Sequence, residues 1–144
     1  MRRTAELLRL GLVVMLAAAA GCATQQRSDF AALQGKWKGH ESGRNTENSV
    51  TVAFSGANLE YRASDPNVWY KATFCLREGA NPKQLLAVIT DCPFPQYAGK
   101  TAYAIYRLED GVLRVTANQP GNPAVPADFD APDARQFVLK AEKP

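Results

Sequence analysis

The chain has 144 residues and a single histidine, His40. That scarcity excludes His-based metal sites and most acid–base triads, which need more than one partner around an imidazole. Glu41 is adjacent, but neighbours on a strand point to opposite faces, so the two form no common site. No serine sits in a Gly-x-Ser-x-Gly setting, so no hydrolase nucleophile is expected. Cys75 and Cys92 lack zinc-ligand spacing to His40. Asp128, Asp130 and Asp133 lack the glycine and terminal glutamate of an EF-hand loop and read as a solvated acidic stretch. No metal, cofactor or catalytic residue is expected. Charge of one sign is also missing. The formal net charge is +3, from 17 Lys and Arg against 14 Asp and Glu. Residues 1–21 carry three of the bases and one of the acids, leaving 14 against 13 beyond them. So even a balance argues against nucleic acid as a partner. Long apolar runs are absent too: residues 10–20 form an uninterrupted stretch of 11, short of the ~20 a spanning helix needs.

What the N-terminus does contain is a basic start, Met1-Arg2-Arg3, and then that short apolar stretch, the layout of a secretory signal. It closes on Ala19-Ala20-Gly21-Cys22, which resembles the lipobox of bacterial lipoproteins. An ordinary cleavage site preceding a cysteine is the alternative. The resemblance implies cleavage before Cys22, a diacylglycerol on its thiol and acylation of its amine. Several acyl chains on one residue give stable anchoring. Ala19 stands at −3, where that family most often has leucine. Position 23 is alanine, not the aspartate that favours inner-membrane retention in many Gram-negative lipoproteins. The expected location is therefore the cell envelope, at the outer membrane facing the periplasm. Residues 1–21 read as the signal peptide, 22–33 as a lipid-anchored tether and short helical turn, and 34–144 as the folded domain.

Beyond Cys22 two cysteines remain, and an even pair in an exported chain suggests a disulfide. A turn centred on Asn81-Pro82-Lys83-Gln84 would put Cys75 opposite Thr90 and Cys92 diagonal to it on the same face. Diagonal neighbours are ~7–8 Å apart, so a bend near Pro93 and Pro95 is needed to close the bond. Two free thiols are the alternative.

The mature chain is composed mostly of short alternating stretches. Ser28 caps one helical turn over residues 29–33. Strands follow over residues 34–40, 50–54, 59–62, 68–77, 85–90, 101–108, from 112 after a turn at Asp110-Gly111, and 136–143. Asp110-Gly111 is a strong hairpin signal that sets Tyr106 opposite Val115, Leu108 opposite Leu113 and Arg107 opposite Arg114. Eight strands with almost no helix indicate an all-β fold, a small antiparallel up-and-down barrel in which first and last strands pair and leave no edge. Two connections are long, residues 92–99 and 118–134. The second holds Pro120, Pro123, Pro126 and Pro132 and exceeds the usual loop length.

Gly35-Lys36-Trp37, reached from a helical turn, resembles the Gly-x-Trp with which lipocalin-like proteins plug the closed end of their barrel. The closer resemblance is to a small lipocalin-like domain abundant in planctomycete genomes. It rests on the order of Leu33-Gln34-Gly35-Lys36-Trp37, Val52-Ala53-Phe54-Ser55-Gly56, residues 104–113, the Pro-Gly loop from Pro120-Gly121 to Phe129, and Phe137-Val138-Leu139-Lys140. It covers residues 33–143, does not include Cys75 or Cys92, and implies a fold but no catalytic residue. Gly35 and Trp37 would be the plug. Trp37, Phe54, Tyr61, Tyr70, Phe74, Tyr106 and Phe137 point inward, and side chains of that size are expected to fill a small barrel and leave little cavity.

Lys36 and Lys38 lie on the outer face, where anionic headgroups or glycan are the functional reading and plain solvation the bland one. Trp69 falls out of phase with its inward neighbours, and an outward tryptophan often marks an interface. Trp69, Pro120, Pro123, Pro126 and Phe129 form the candidate partner surface, with coverage of Trp69 by the tether or the proline loop as the alternative. The expected function is that of a lipid-anchored envelope protein, not an enzyme, with a binding or structural role towards a small apolar ligand, a glycan or an envelope protein. The alternative is an accessory or inhibitor protein that engages a partner enzyme through residues 118–134.

Overall fold

The computed structural model describes residues 28–42 and 48–143. The lipobox, with Cys22, and residues 1–27 lie outside the described residues. The elements are α1 (Asp29–Leu33), β1 (Gly35–Ser42), β2 (Asn48–Ser55), β3 (Asn58–Ala63), β4 (Trp69–Arg77), β5 (Gln84–Asp91), a 3-10 turn at Pro95–Tyr97, β6 (Thr101–Glu109), β7 (Val112–Ala117) and β8 (Arg135–Ala141). Each strand pairs antiparallel with the next, and β8 pairs with β1, so the barrel is closed with eight strands.

Alternation drives this arrangement. Val50, Val52 and Phe54 on β2 are buried, while the residues between them are half-exposed. At the β6–β7 hairpin Asp110 and Gly111 both take positive φ, 53° and 73°, as a two-residue turn of the hand that suits twisted strands requires. The pairs Tyr106–Val115, Leu108–Leu113 and Arg107–Arg114 form as expected. The closing seam is tight. A Cβ on Gly39 would lie 1.9 Å from the Val138 carbonyl oxygen, so only glycine lets β8 approach β1 here.

The β4–β5 hairpin corrects the cysteine reading. Its loop runs over residues 78–83, so Cys75 pairs with Leu86 rather than Thr90. Cys75 lies on the outer face and is exposed, because Ala72 and Phe74 take the inner one. Cys92 follows β5, about 20 Å further along at the usual strand rise. It packs against the core and donates its thiol hydrogen to the Phe94 carbonyl at 3.1 Å. Both are free thiols.

One end of the barrel is shut by α1. Leu33 is fully buried, and its carbonyl accepts the Trp37 indole N–H at 2.8 Å. Phe30 stacks on Phe74 with ring centroids 5.5 Å apart. Asp29 takes its place through three bonds: its N–H donates to Glu78 (2.7 Å), and its Oδ2 accepts from Lys83 (2.7 Å) and Tyr106 (2.8 Å). Gln34 closes the rest, exchanging bonds with the backbone of Gly56. Trp37 is therefore a buried plug, whereas Gly35 is an exposed hinge at φ +112° between α1 and β1.

Residues 118–134 do not project. They fold back on the outer wall of β6 and β7. Ile105 and Thr116 point outward yet are 0% and 2% exposed. Thr116 donates its hydroxyl to the Phe129 carbonyl at 2.8 Å, and the Arg107 guanidinium sits 4.8 Å over the Phe129 ring. Pro126 and Ala134 are buried in the same layer.

Candidate ligand cavity

The expected filled interior is not what forms. All seven inward rings are inside, but they divide between two levels. Trp37, Phe54, Phe74 and Tyr106 pack as a floor above α1, at the ends of β1, β2, β4 and β6 nearest that helix. Tyr61, Tyr70 and Phe137 lie at the other end. Between them five alanines, Ala72, Ala87, Ala102, Ala104 and Ala117, line the wall among larger aliphatic side chains such as Val52, Leu85 and Ile89. Each is an inward position where a larger side chain would have filled the lumen. The result is a cavity of about 420 Å³, open at the end opposite α1. That volume lies within the ~300–1,000 Å³ of small-molecule sites.

The mouth is aromatic. Tyr70 lies 5.8 Å from Tyr61, 5.8 Å from Phe94 and 6.4 Å from Tyr97, and Tyr61 meets Phe137 edge to face at 5.6 Å. Tyr97 and Gln119 are hydrogen-bonded to each other, and Asn118 donates to the Ala124 carbonyl at 2.9 Å. Residues 92–100 and the first part of 118–134 thus form the rim.

One ion pair is set inside it. Arg135 donates from Nε and Nη2 to the two carboxylate oxygens of Glu41, both at 2.9 Å, and from Nη2 to the Tyr61 hydroxyl at 3.1 Å. The side chain of Glu41 is only 12% exposed. The bonds to Glu41 hold Arg135 firmly charged against its partial burial. Its guanidinium also lies over the rings of Phe137 and Tyr61, at 5.3 and 5.6 Å. Burial pushes the Tyr61 and Tyr70 hydroxyls above their ordinary value, with Arg135 pulling both the other way.

The residues singled out from the sequence scatter. Pro120 lines the mouth. Trp69 is outward and half-buried, with Lys71 Nζ 5.8 Å from its ring. Pro123 is exposed, while Pro126 and Phe129 are held against the wall and present no free partner surface. His40 is exposed, as are Lys36 and Lys38. Asp128 accepts the Asp130 N–H at 2.9 Å in a local turn, and Asp133 lines the mouth. The alanine wall, Glu41 and Arg135 were missed. An inward arginine at the start of a strand was the one available signal.

Compared with known protein families, curated proteins and solved structures, the chain matches none of them. The barrel and its cavity therefore carry the functional argument.

Proposed function

We propose that this is a lipid-anchored cell-envelope protein that carries a small apolar ligand, without catalysis. The observation that carries the reading is the cavity, apolar along its walls, polar only at its mouth and closed at one end by α1. A binding site of that form gains from burying apolar ligand surface, and its few polar groups set orientation. The N-terminal pattern ending at Cys22 supports a membrane anchor through lipid, at the outer membrane facing the periplasm. The alternative, an inhibitor that inserts residues 118–134 into a partner, is the weaker reading, because that segment is spent on covering Ile105 and Thr116.

The test is saturable binding of phenylnaphthylamine, a neutral apolar fluorophore, at one site per chain. Ala87→Phe, which fills the waist of the cavity, should abolish the binding and leave the melting temperature equal or higher. Unchanged binding in that variant, or no binding by the parent protein, would defeat the reading. Separately, Cys22→Ser should release the protein from membranes; a variant still membrane-bound and labelled with fatty acid would defeat the anchor.

A further inference from the structure

The cavity has two unlike walls. Ala87 pairs with Ala102 and Ala104 with Ala117, so four methyl groups recess the face over β5, β6 and β7 between Leu85, Ile89 and Val115. Across the lumen Phe54 and Tyr61 project from β2 and β3, and Phe137 joins Tyr61 edge to face. A space bounded by small and aliphatic side chains on one side and by rings on the other suits a rigid planar ligand, which gives up little conformational freedom on binding and gains ring contacts beyond its buried area. The size agrees. An apolar cavity of about 150 Å³ accepts one benzene, so the 420 Å³ here accommodates roughly two to three fused rings.

The charge pattern selects further. Among the described residues lining the cavity only Asp133 and Arg135 are charged. Arg135 already gives Nε and Nη2 to Glu41, so its charge is compensated within the protein. A ligand carboxylate arriving there would lose hydration against a neutralised guanidinium, with Asp133 at the same rim. The amides of Asn118 and Gln119 each give one N–H to a protein partner, Ala124 and Tyr97, and the amide oxygen and second N–H of each suit an uncharged hydroxyl or carbonyl.

We infer that the cavity takes a neutral molecule of two or three fused rings, with a hydroxyl or carbonyl group at the mouth, in preference to a fatty-acid anion. The inference rests on the ligand-carrier reading and narrows it to a chemical class.

A matched pair of probes tests it: anthracenemethanol and anthracenecarboxylate, alike in shape and different in charge, with hexadecanoate as a flexible anionic competitor. The full chain carrying Cys22→Ser is used, so that no acyl group competes. The neutral anthracene should bind at least roughly tenfold more tightly than the carboxylate, and hexadecanoate should displace it poorly. Glu41→Gln, which uncovers the charge of Arg135, should move the affinity ratio about tenfold toward the carboxylate. Equal or tighter binding of anthracenecarboxylate by the parent, or preferential binding of hexadecanoate, would overturn the inference and leave the carrier reading intact. Failure of all three probes to bind would overturn both. The parent comparison needs no variant, so it stands even where Glu41→Gln does not fold.

Discussion

Gly39 and the lumenal alanines show how much one missing methyl decides. At Gly39 the space is closed: an added Cβ would meet the Val138 backbone at 1.9 Å, and backbone in a paired strand cannot step aside as a side chain can. Gly39→Ala should therefore destabilise the barrel by about 3 kcal/mol, the upper end of overpacking costs, seen as a lower denaturation midpoint. A midpoint equal to the parent's would mean that the β1–β8 seam is looser than drawn. At Ala87 and Ala104 the space is open, and the same methyl leaves a hollow. Neither condition was legible in the sequence. Alanine at an inward position looks like ordinary core, and whether a lumen fills depends on what the other six strands contribute to the same level. The inward rings were legible one by one from period-two alternation; their separation into floor and mouth was not, because it depends on strand stagger.

At the scale of elements, α1 is five residues long and too short to persist alone. Its place depends on what the barrel offers it. Burial tends to raise the Asp29 carboxyl, but hydrogen bonds from Lys83 and Tyr106 outweigh that and hold it below its ordinary value of 3.8. Burial and the bond to Asp29 push the Tyr106 hydroxyl above 10.0. The signs follow. A depressed carboxylate stabilises the fold above the unfolded-chain value and loses that contribution as pH falls below about 4. A raised phenol keeps its contribution below pH ~10 and loses it above. Tyr106→Phe should cost about 1.5–3 kcal/mol at pH 7, since the acceptor is charged, and less at pH 3. Urea titrations at both values check this; an equal loss at both would show that the bond to Asp29 is not what holds α1. The helical turn was legible where it forms, but not through the expected cap, since the Ser28 side chain makes no capping hydrogen bond. Its partners were not, because Glu78, Lys83 and Tyr106 reach it only through closure of the barrel. The proline-rich segment was noted in the sequence for its length and as a candidate partner surface, and its cover of Ile105 and Thr116 was not legible because it leaves no periodic mark.

For the whole molecule, strand number, order and closure were legible, since eight alternating runs and one Asp-Gly hairpin admit few arrangements. Register was legible only where the turn chemistry was sharp. The Asp110-Gly111 hairpin came out in place, whereas the loop over residues 78–83 moved β5 and carried Cys75 away from Cys92. Alkylation in denaturant without reductant should therefore label both thiols, and in the folded protein Cys75 should react ahead of Cys92, which is partly covered and bonded to Phe94. A peptide pair linked through sulfur would reverse that assignment. The ion pair of Glu41 and Arg135, 94 positions apart in sequence, is another product of closure alone. The position of α1 also gives the barrel a compass. It sits under the floor, so the chain leading back to Cys22 departs from the blind end, and six residues of extended chain span only about 20 Å. With the proposed anchor, a tether of that length would set the blind end towards the lipid and the rim away from it. On that placement the proposed ligand would be exchanged across water with whatever lies opposite, not drawn sideways from the leaflet that holds the protein.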